Sequence, residues 1–180
     1  MHLFDPAESK GEIEKLIFRV TQKLAKKIKV VPTSAYPLHD NPFLDWTANL
    51  FMVSRRQCIM LTNSCSLYSV VLAGKGITNE KSIAEKSLKC LHEYMLLDST
   101  ANLFVAHIAP HMGSATFCKS GDRRVLGSMN ELVFLAKSYL LEMRLPLPQV
   151  NMRLNETPMS MLEHHNPKLA FLALDIQPKP

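Results

Sequence analysis

The stretch 46-WTANLFMVSRRQCIMLTNSCSLYSVVLAG-74 decides the fold of this chain. Its segments 46–54 and 57–63 are short, apolar and strand-like. Only two arginines separate them, and a connection this short makes the two strands antiparallel neighbours in a hairpin. The segment 66–74 predicts a third strand that ends at a glycine. Three strands in close succession indicate a sheet built largely from local pairings.

Further strands are predicted on both sides of this stretch. The apolar segment LIFRV at 16–20 reads as a strand, and Thr21 then caps a short helix that continues to residue 29. Towards the carboxyl end, NLFVAHIA at 102–109 and ATFCKS at 115–120 read as two more strands.

Two long helices are predicted. The segment of about 79–97 is amphipathic and begins at Thr78 or Asn79. The segment of about 129–143 follows Ser128 and carries Glu131, which together match the S-x-x-E capping box. Because this second helix is apolar over most of its circumference, we expect it at the centre of the fold.

The order of these elements predicts an α+β fold with a mainly antiparallel sheet of about five or six strands. The strands cluster, and helices interrupt them only twice. We expect a flexible leader at 1–15, a single domain at 16–174 and a tail at 175–180. Shorter helical or extended segments are predicted at 149–162 and 166–174.

Composition limits the class of protein. Hydrophobic residues make up 47% of the 180 residues, which is typical of a globular chain. The net charge of +5 is a mild excess that permits an acidic or nucleic-acid partner without requiring one. The polar amino terminus is unlike a secretory signal, no apolar segment is long enough to span a membrane, and the four cysteines lack paired spacing. We therefore expect a cytoplasmic protein with reduced thiols.

Three blocks of sequence carry a family resemblance: the opening stretch, RRVLGSMNELVF at 123–134 and NMRLNETPMSML at 151–162. From about Ile17 to Leu162 the chain resembles an uncharacterised prokaryotic family known only as a domain of unknown function, DUF6933, which also occurs beside plasmid ORF-3-like modules. The resemblance implies no activity, and it implies these signature positions: Trp46, Asn49, Arg55, Arg56, Cys58, Thr62, Asn63, Arg124, Gly127, Ser128, Asn130, Arg153, Asn155 and Pro158. Arg123 departs from the pattern, since relatives tend to carry a small polar residue there.

The predicted helix start at Ser128 is a candidate anion site. A helix amino terminus offers free backbone N–H groups, a glycine permits close approach, and an arginine holds phosphate or carboxylate. The alternative is a capped helix start beside an arginine that binds a carboxylate within the fold. The proposed ligand residues are Arg124, Gly127, Ser128, Asn130, Arg153 and Asn155.

A second candidate is a nucleic-acid surface formed by Arg55 and Arg56 of the hairpin with Lys26 and Lys27 of the first helix. Aromatic residues nearby in sequence could stack on bases, namely Tyr36, Phe43 and Trp46. The alternative is a solvated turn and a solvated helix face.

Metal binding and catalysis have weaker support. Two sequence-close histidine pairs, with Asp122 or Cys118, could form a ligand set, but Pro110 opposes the helix that the pair His107 and His111 would need. The other pair is His164 and His165, whose adjacent rings point apart. Cys58 or Cys65 with His107 could form a catalytic dyad, without local support. We therefore expect no metal, no cofactor and no catalytic residue.

The function best supported by sequence is a non-enzymatic binding or regulatory module with a protein partner. The alternative is a phosphate- or nucleic-acid-binding protein, including a nucleotide-handling enzyme, that uses Arg124, Arg153 and the helix start at Ser128. A homo-oligomer is compatible with both.

Overall fold

The computed structural model describes residues 14–34, 36–163 and 165–175. The predicted leader lies mostly outside these residues, as do 176–180 of the predicted tail and His164. The strands are β1 Leu16–Val20, β2 Asp45–Val53, β3 Arg56–Asn63, β4 Ser69–Ala73 and β5 Ala115–Lys119. The helices are α1 Gln22–Ile28, α2 Glu80–Leu97, α3 Ala101–Leu103, α4 Arg123–Leu141, α5 Leu147–Glu156 and α6 Pro167–Leu172.

The five strands form one sheet in the order β4-β3-β2-β1-β5. The predicted hairpin is confirmed: β2 and β3 are antiparallel, with Val53 opposite Arg56 and a two-residue turn in which Ser54 adopts a φ of 54°. β3 and β4 are also antiparallel. The α+β class and the strand number are therefore as predicted.

The prediction of a mainly antiparallel sheet is wrong, because the sheet is mixed. β1 runs parallel to β2 on one side and to β5 on the other. Helix α1 carries the chain from the end of β1 back to the start of β2, and such a crossover makes the two strands parallel. The pairing of β1 with β5 joins segments about a hundred residues apart, which no local pattern indicates.

Helices cover both faces of the sheet. On one face, α1, α2 and α6 bury an apolar cluster that includes Trp46, Tyr68 and Phe171. On the other face, α4 and α5 bury a second cluster around Met60 and Met129. Because alternate residues of β2, β3 and β4 enter the two clusters, these strands read as nearly continuous apolar segments.

Helix α4 begins six residues earlier than predicted. Asp122 is its N-cap, and its carboxylate accepts hydrogen bonds from the backbone nitrogens of Arg124 and Val125, at 2.8 and 3.3 Å. Ser128 is a buried residue within the helix, so the capping box predicted at Ser128 is wrong. Asp and Ser cap helices about equally well, and the chain takes the first of the two after it leaves β5. The helix packs centrally as predicted, but Phe134 on its outer face is 73% exposed.

The strand predicted at 102–109 is also wrong. The chain forms α3, a π-helical turn at Phe104–Ile108 and a 3-10 turn at Ala109–His111. Phe104 and Ile108 are buried four residues apart, which is the spacing of one helical face. A short apolar segment cannot be assigned to strand or helix by periodicity alone. The amphipathic helix is confirmed as α2, where Asn79 and Ser82 form a capping box.

Candidate functional site

The residues of the proposed anion site do not converge. Arg124 lies in the first turn of α4, and its side chain is exposed. The guanidinium of Arg153 lies 5.8 Å from the ring centre of Tyr139, which is fifteen residues further along α4. Fifteen helical residues span about 22 Å, so the two arginines lie far apart along the helix.

The other proposed anion ligands occupy varied positions. Gly127 and Asn130 are exposed on α4, whereas the hydroxyl of Ser128 is turned inward to the Met161 sulfur at 3.6 Å. Asn155 is fully buried, and its side chain bonds the backbone of β4. The helix amino terminus that was to supply N–H donors at Ser128 is absent there, because Asp122 already caps α4.

The residues proposed for nucleic-acid contact do come together. The Lys27 ammonium of α1 donates a hydrogen bond to the Gln57 side chain of β3, immediately after Arg56. This contact places the basic face of α1 beside the β2–β3 turn that carries Arg55. The side chains of Arg55, Arg56 and Lys26 are exposed. We call this surface, with Lys75 and Lys86, the basic end.

Lys75 and Lys86 were missed by the sequence analysis. Gly74 packs against Gln57, and its backbone nitrogen donates to the Gln57 carbonyl at 2.8 Å, so Lys75 follows directly at the same end of the sheet. Lys86 of α2 donates to the Lys75 carbonyl at 2.9 Å. An antiparallel β2-β3-β4 meander puts the first turn and the end of β4 at one edge, which is the signal that could have found Lys75.

The aromatic residues proposed for base stacking are mostly unavailable. Trp46 and Phe43 are buried in the core, where the indole N–H of Trp46 donates to the Phe43 carbonyl at 2.8 Å. Tyr36 is half exposed, but its backbone carbonyl is bound to Arg19. The basic end is thus a surface of charged side chains without a stacking platform from these three residues.

A polar row crosses the sheet on the face beneath α4 and α5, and the fold itself uses it. Its members pair in register across all five strands: Cys118, Arg19, Thr47, Thr62 and Ser69. The guanidinium of Arg19 binds the Asp45 carboxylate through two hydrogen bonds of 2.7 Å, and both side chains are buried. This row was not identified in the sequence, where Arg19 appears only as one residue of a short strand.

The Arg19–Asp45 pair also anchors a loop. Arg19 donates to the backbone carbonyls of Tyr36 and Pro37 at 2.6 and 2.7 Å, and the His39 backbone nitrogen donates to Asp45 at 3.0 Å. The carboxylate raises the pKa of Arg19, because its hydrogen bonds outweigh the cost of burial. Every nitrogen of this guanidinium is therefore engaged inside the fold.

The described thiols are shielded rather than activated. Burial raises the pKa of Cys65 to about 11, with a further contribution from Asp45. Burial likewise raises the pKa of Cys90 to about 11, and it raises the pKa of Cys58 and Cys118. A nucleophilic cysteine needs a lowered pKa, so these surroundings oppose thiolate formation.

The histidines proposed as metal ligands contact other groups. His107 stacks on Phe43 with ring centres 4.3 Å apart, and the His111 ring bonds the Glu14 carbonyl at 3.0 Å. His165 is exposed, while His164 lies outside the described residues. Within 14–34, 36–163 and 165–175, no group of three or more His, Cys, Asp or Glu side chains is placed to hold a metal ion.

Two open grooves lie elsewhere on the surface. One, of about 300 Å³, runs between α2 and the π-helical turn, where His92 stacks on Phe104 with ring centres 4.5 Å apart. The other, of about 550 Å³, lies beside α6 and Met161. Neither groove is lined by residues of the basic end or by the proposed anion ligands. In the described part of the chain, no helix has the length and apolar character needed to cross a bilayer.

Comparison with known proteins agrees with the resemblance seen in the sequence. No curated protein and no solved structure matches the chain. The profile of the family described as "Domain of unknown function (DUF6933)" matches residues 17–170, which include nearly all of the strands and helices of the fold. The chain therefore belongs to the DUF6933 family.

Proposed function

We propose that this protein is a non-enzymatic binding module whose basic end takes the phosphate backbone of a nucleic acid. The observation that carries this proposal is the contact between Lys27 and Gln57. It joins two basic segments, 26–27 and 55–56, that are separate in the sequence, and it concentrates their charge on one surface.

The electrostatics of this surface support an anionic ligand. Among the described residues, none of the cations of the basic end forms an ion pair with a carboxylate. Clustered charge of one sign raises the local concentration of counter-charged ligands and speeds their association. An arginine can bind a phosphate through two parallel hydrogen bonds, whereas a lysine acts as a compact point charge.

The expected binding mode is insensitive to base sequence. Contacts to phosphates position a nucleic acid but do not distinguish its bases. The aromatic residues that could have stacked on bases, Phe43 and Trp46, belong to the core. Affinity should therefore depend on charge and salt more than on sequence.

Fluorescence anisotropy with a short labelled DNA duplex tests this function. Binding should weaken steeply as salt rises, because each neutralised phosphate releases counterions. The double variant Arg55→Ala/Arg56→Ala should reduce the slope of log affinity against log salt by about one for each phosphate that is no longer neutralised. No binding at low salt would overturn the proposal.

A matched control removes the same charge elsewhere. Lys81 and Lys89 are exposed on α2, and each already lies 3.9 Å from a glutamate of the next turn. The double variant Lys81→Ala/Lys89→Ala should leave the salt slope close to that of the unmodified protein. An equal reduction of the slope in both double variants would mean that only the net charge matters.

A protein partner on the outer face of α4 is the second candidate function. Phe134 favours it, since a phenylalanine that is 73% exposed in the middle of a long helix is costly to hydrate. This role would not use the basic end, and the two functions can coexist.

A further inference from the structure

Gly127 lies within α4 without a structural reason inside the described chain. A Cβ atom added there would meet no other atom within 4 Å. Its φ is not positive, unlike that of Gly76, so no special backbone conformation requires a glycine. Glycine inside a helix costs about 0.5–1 kcal/mol relative to alanine. A bare patch of backbone on the exposed side of α4 is therefore kept at the expense of helix stability.

Phe134 lies on the same side of the helix as this patch. It follows Gly127 by seven residues, which is close to two full turns, so the two positions share one face. One position is a large exposed ring and the other lacks a side chain. The ring and the bare patch are complementary in shape, but within one chain they lie about 10 Å apart along the helix and cannot meet.

We infer that the outer face of α4 binds a second copy of this chain as an antiparallel helix pair, with Phe134 of each copy seated on Gly127 of the other. This inference rests on the second candidate function and names its partner. A two-fold axis makes one such contact into two, because the same surface serves both copies. A glycine at the contact lets the helix axes approach to the lower end of the usual distance of about 8–10 Å.

The charges of α4 favour the antiparallel arrangement. Arg124 and Glu142 are eighteen residues apart, which is five full turns, so both lie along one flank of the helix. A two-fold axis perpendicular to the pair places this flank of one copy beside the same flank of the other. The positive end of each flank then lies next to the negative end of its counterpart.

The distances agree with this pairing. Seating Phe134 on Gly127 of the second copy puts the centre of the pair between residues 130 and 131. Arg124 and Glu142 of the other copy then differ by five residues, or about 7.5 Å, along the axis. Helical side chains lean towards their own amino terminus, which moves these two side chains towards each other. The hydrogen bond of 3.0 Å from Ser138 to the Glu142 carboxylate shows that lean.

Sedimentation velocity over a range of concentrations tests the inference on the full chain. The unmodified protein should form a dimer, and Phe134→Lys should weaken self-association by at least about tenfold. Val105→Lys makes the same change at a comparable exposed site, 61% exposed on the π-helical turn, and should leave the dimer intact. A monomer at every concentration, or a dimer that ignores Phe134→Lys, would overturn the inference.

Two further variants separate the interface from the fold. Gly127→Leu should weaken the dimer while the melting temperature of the monomer stays equal or rises, because the added side chain meets open space. Arg124→Glu should weaken the dimer, and the exchange Arg124→Glu/Glu142→Arg should restore it. Failure of the exchange to restore association would exclude the antiparallel register. DNA binding by the monomeric Phe134→Lys protein reports on the basic end separately, so the two proposals can fail independently.

Discussion

Asn155 of α5 binds the backbone of Ser69 through both ends of its side-chain amide. Its oxygen accepts from the Ser69 nitrogen at 2.7 Å, and its nitrogen donates to the Ser69 carbonyl at 2.8 Å. Asn151, one turn earlier, accepts from the Val71 nitrogen at 2.8 Å. Because β4 is an edge strand, these two asparagines occupy backbone groups that an exposed edge would offer to another strand.

The first prediction concerns this edge. Asn155→Leu keeps a similar volume but leaves two buried backbone groups of Ser69 without partners. We expect the free energy of unfolding to fall by about 2–4 kcal/mol, since each such group costs about 1–3 kcal/mol. Urea denaturation measures the change. Asn102→Leu, at a partly exposed position of α3, is the control and should change stability by less than about 0.5 kcal/mol; equal effects would contradict the role of Asn155.

The second prediction concerns the buried ion pair of Arg19 and Asp45. Arg19→Met leaves the Asp45 carboxylate buried without its counter-charge, and we expect stability to fall by about 3–5 kcal/mol. Adding Asp45→Leu should recover part of that stability, so the double variant is less destabilised than the sum of the singles. A thermodynamic cycle of chemical denaturation measures the coupling.

Its control is an ion pair of the same charge type in solvent. Lys81 and Glu85 lie 3.9 Å apart on α2, with their side chains largely exposed. Lys81→Met should cost less than about 0.5 kcal/mol, because water and salt screen exposed pairs. A coupling of similar size at both sites would contradict the importance of burial.

The third prediction concerns thiol ionisation. Burial holds the pKa of Cys65 and Cys90 at about 11, above the ordinary value of 9.0. The folded state therefore retains these protons when the unfolded state has released them. Their contribution to stability is complete below about pH 9 and disappears as the pH rises from about 9 towards about 11. Denaturation midpoints across this range should fall, and Cys90→Ala should reduce the steepness of the fall.

The same shielding predicts slow thiol chemistry. At a pH of about 8, a thiol-specific disulfide reagent should modify the folded protein much more slowly than the protein in urea, because the thiolate is the reactive form. One thiol that reacts quickly in the folded state would show an accessible, activated cysteine and would contradict this description.

The fourth prediction compares two glycines. Gly127→Ala, made in the Phe134→Lys background to exclude dimer effects, should raise stability by about 0.5–1 kcal/mol. Gly74→Ala should lower it by about 1–3 kcal/mol, because the new Cβ would lie 3.0 Å from the Gln57 Cβ and 3.1 Å from its carbonyl oxygen. Thermal unfolding distinguishes the signs, and a lower stability of the Gly127 variant would indicate an unrecognised contact there.

Local patterns predicted those parts of the fold that depend on neighbours in sequence. Two residues between two strands leave only a hairpin, so the pairing of β2 with β3 followed from the chain itself. The start of α2 at Asn79 followed likewise, because a cap bonds residues within one turn. The family resemblance was also available from sequence, and its span agrees with the matched residues 17–170.

The errors occurred where two local solutions have similar energies. Asp122 and Ser128 are both good caps, and the packing of α4 beneath β2 and β3 decided between them. The segment 102–109 suits a strand or a helix, and the burial of Phe104 and Ile108 on one side decided for a helix. The proposed anion site failed to assemble for the same reason, since its geometry depended on where α4 begins.

By itself, the sequence determined the α+β class, the hairpin, the amphipathic helix and the family, because short-range backbone geometry and side-chain periodicity specify them. Only the tertiary structure decided the parallel pairing of β1, the burial of Asn155 against β4 and the meeting of Lys27 with Gln57. These features join residues that are distant in the chain. Their energies come from packing and from pairing buried polar groups, which become defined only when the sheet and its helices are assembled.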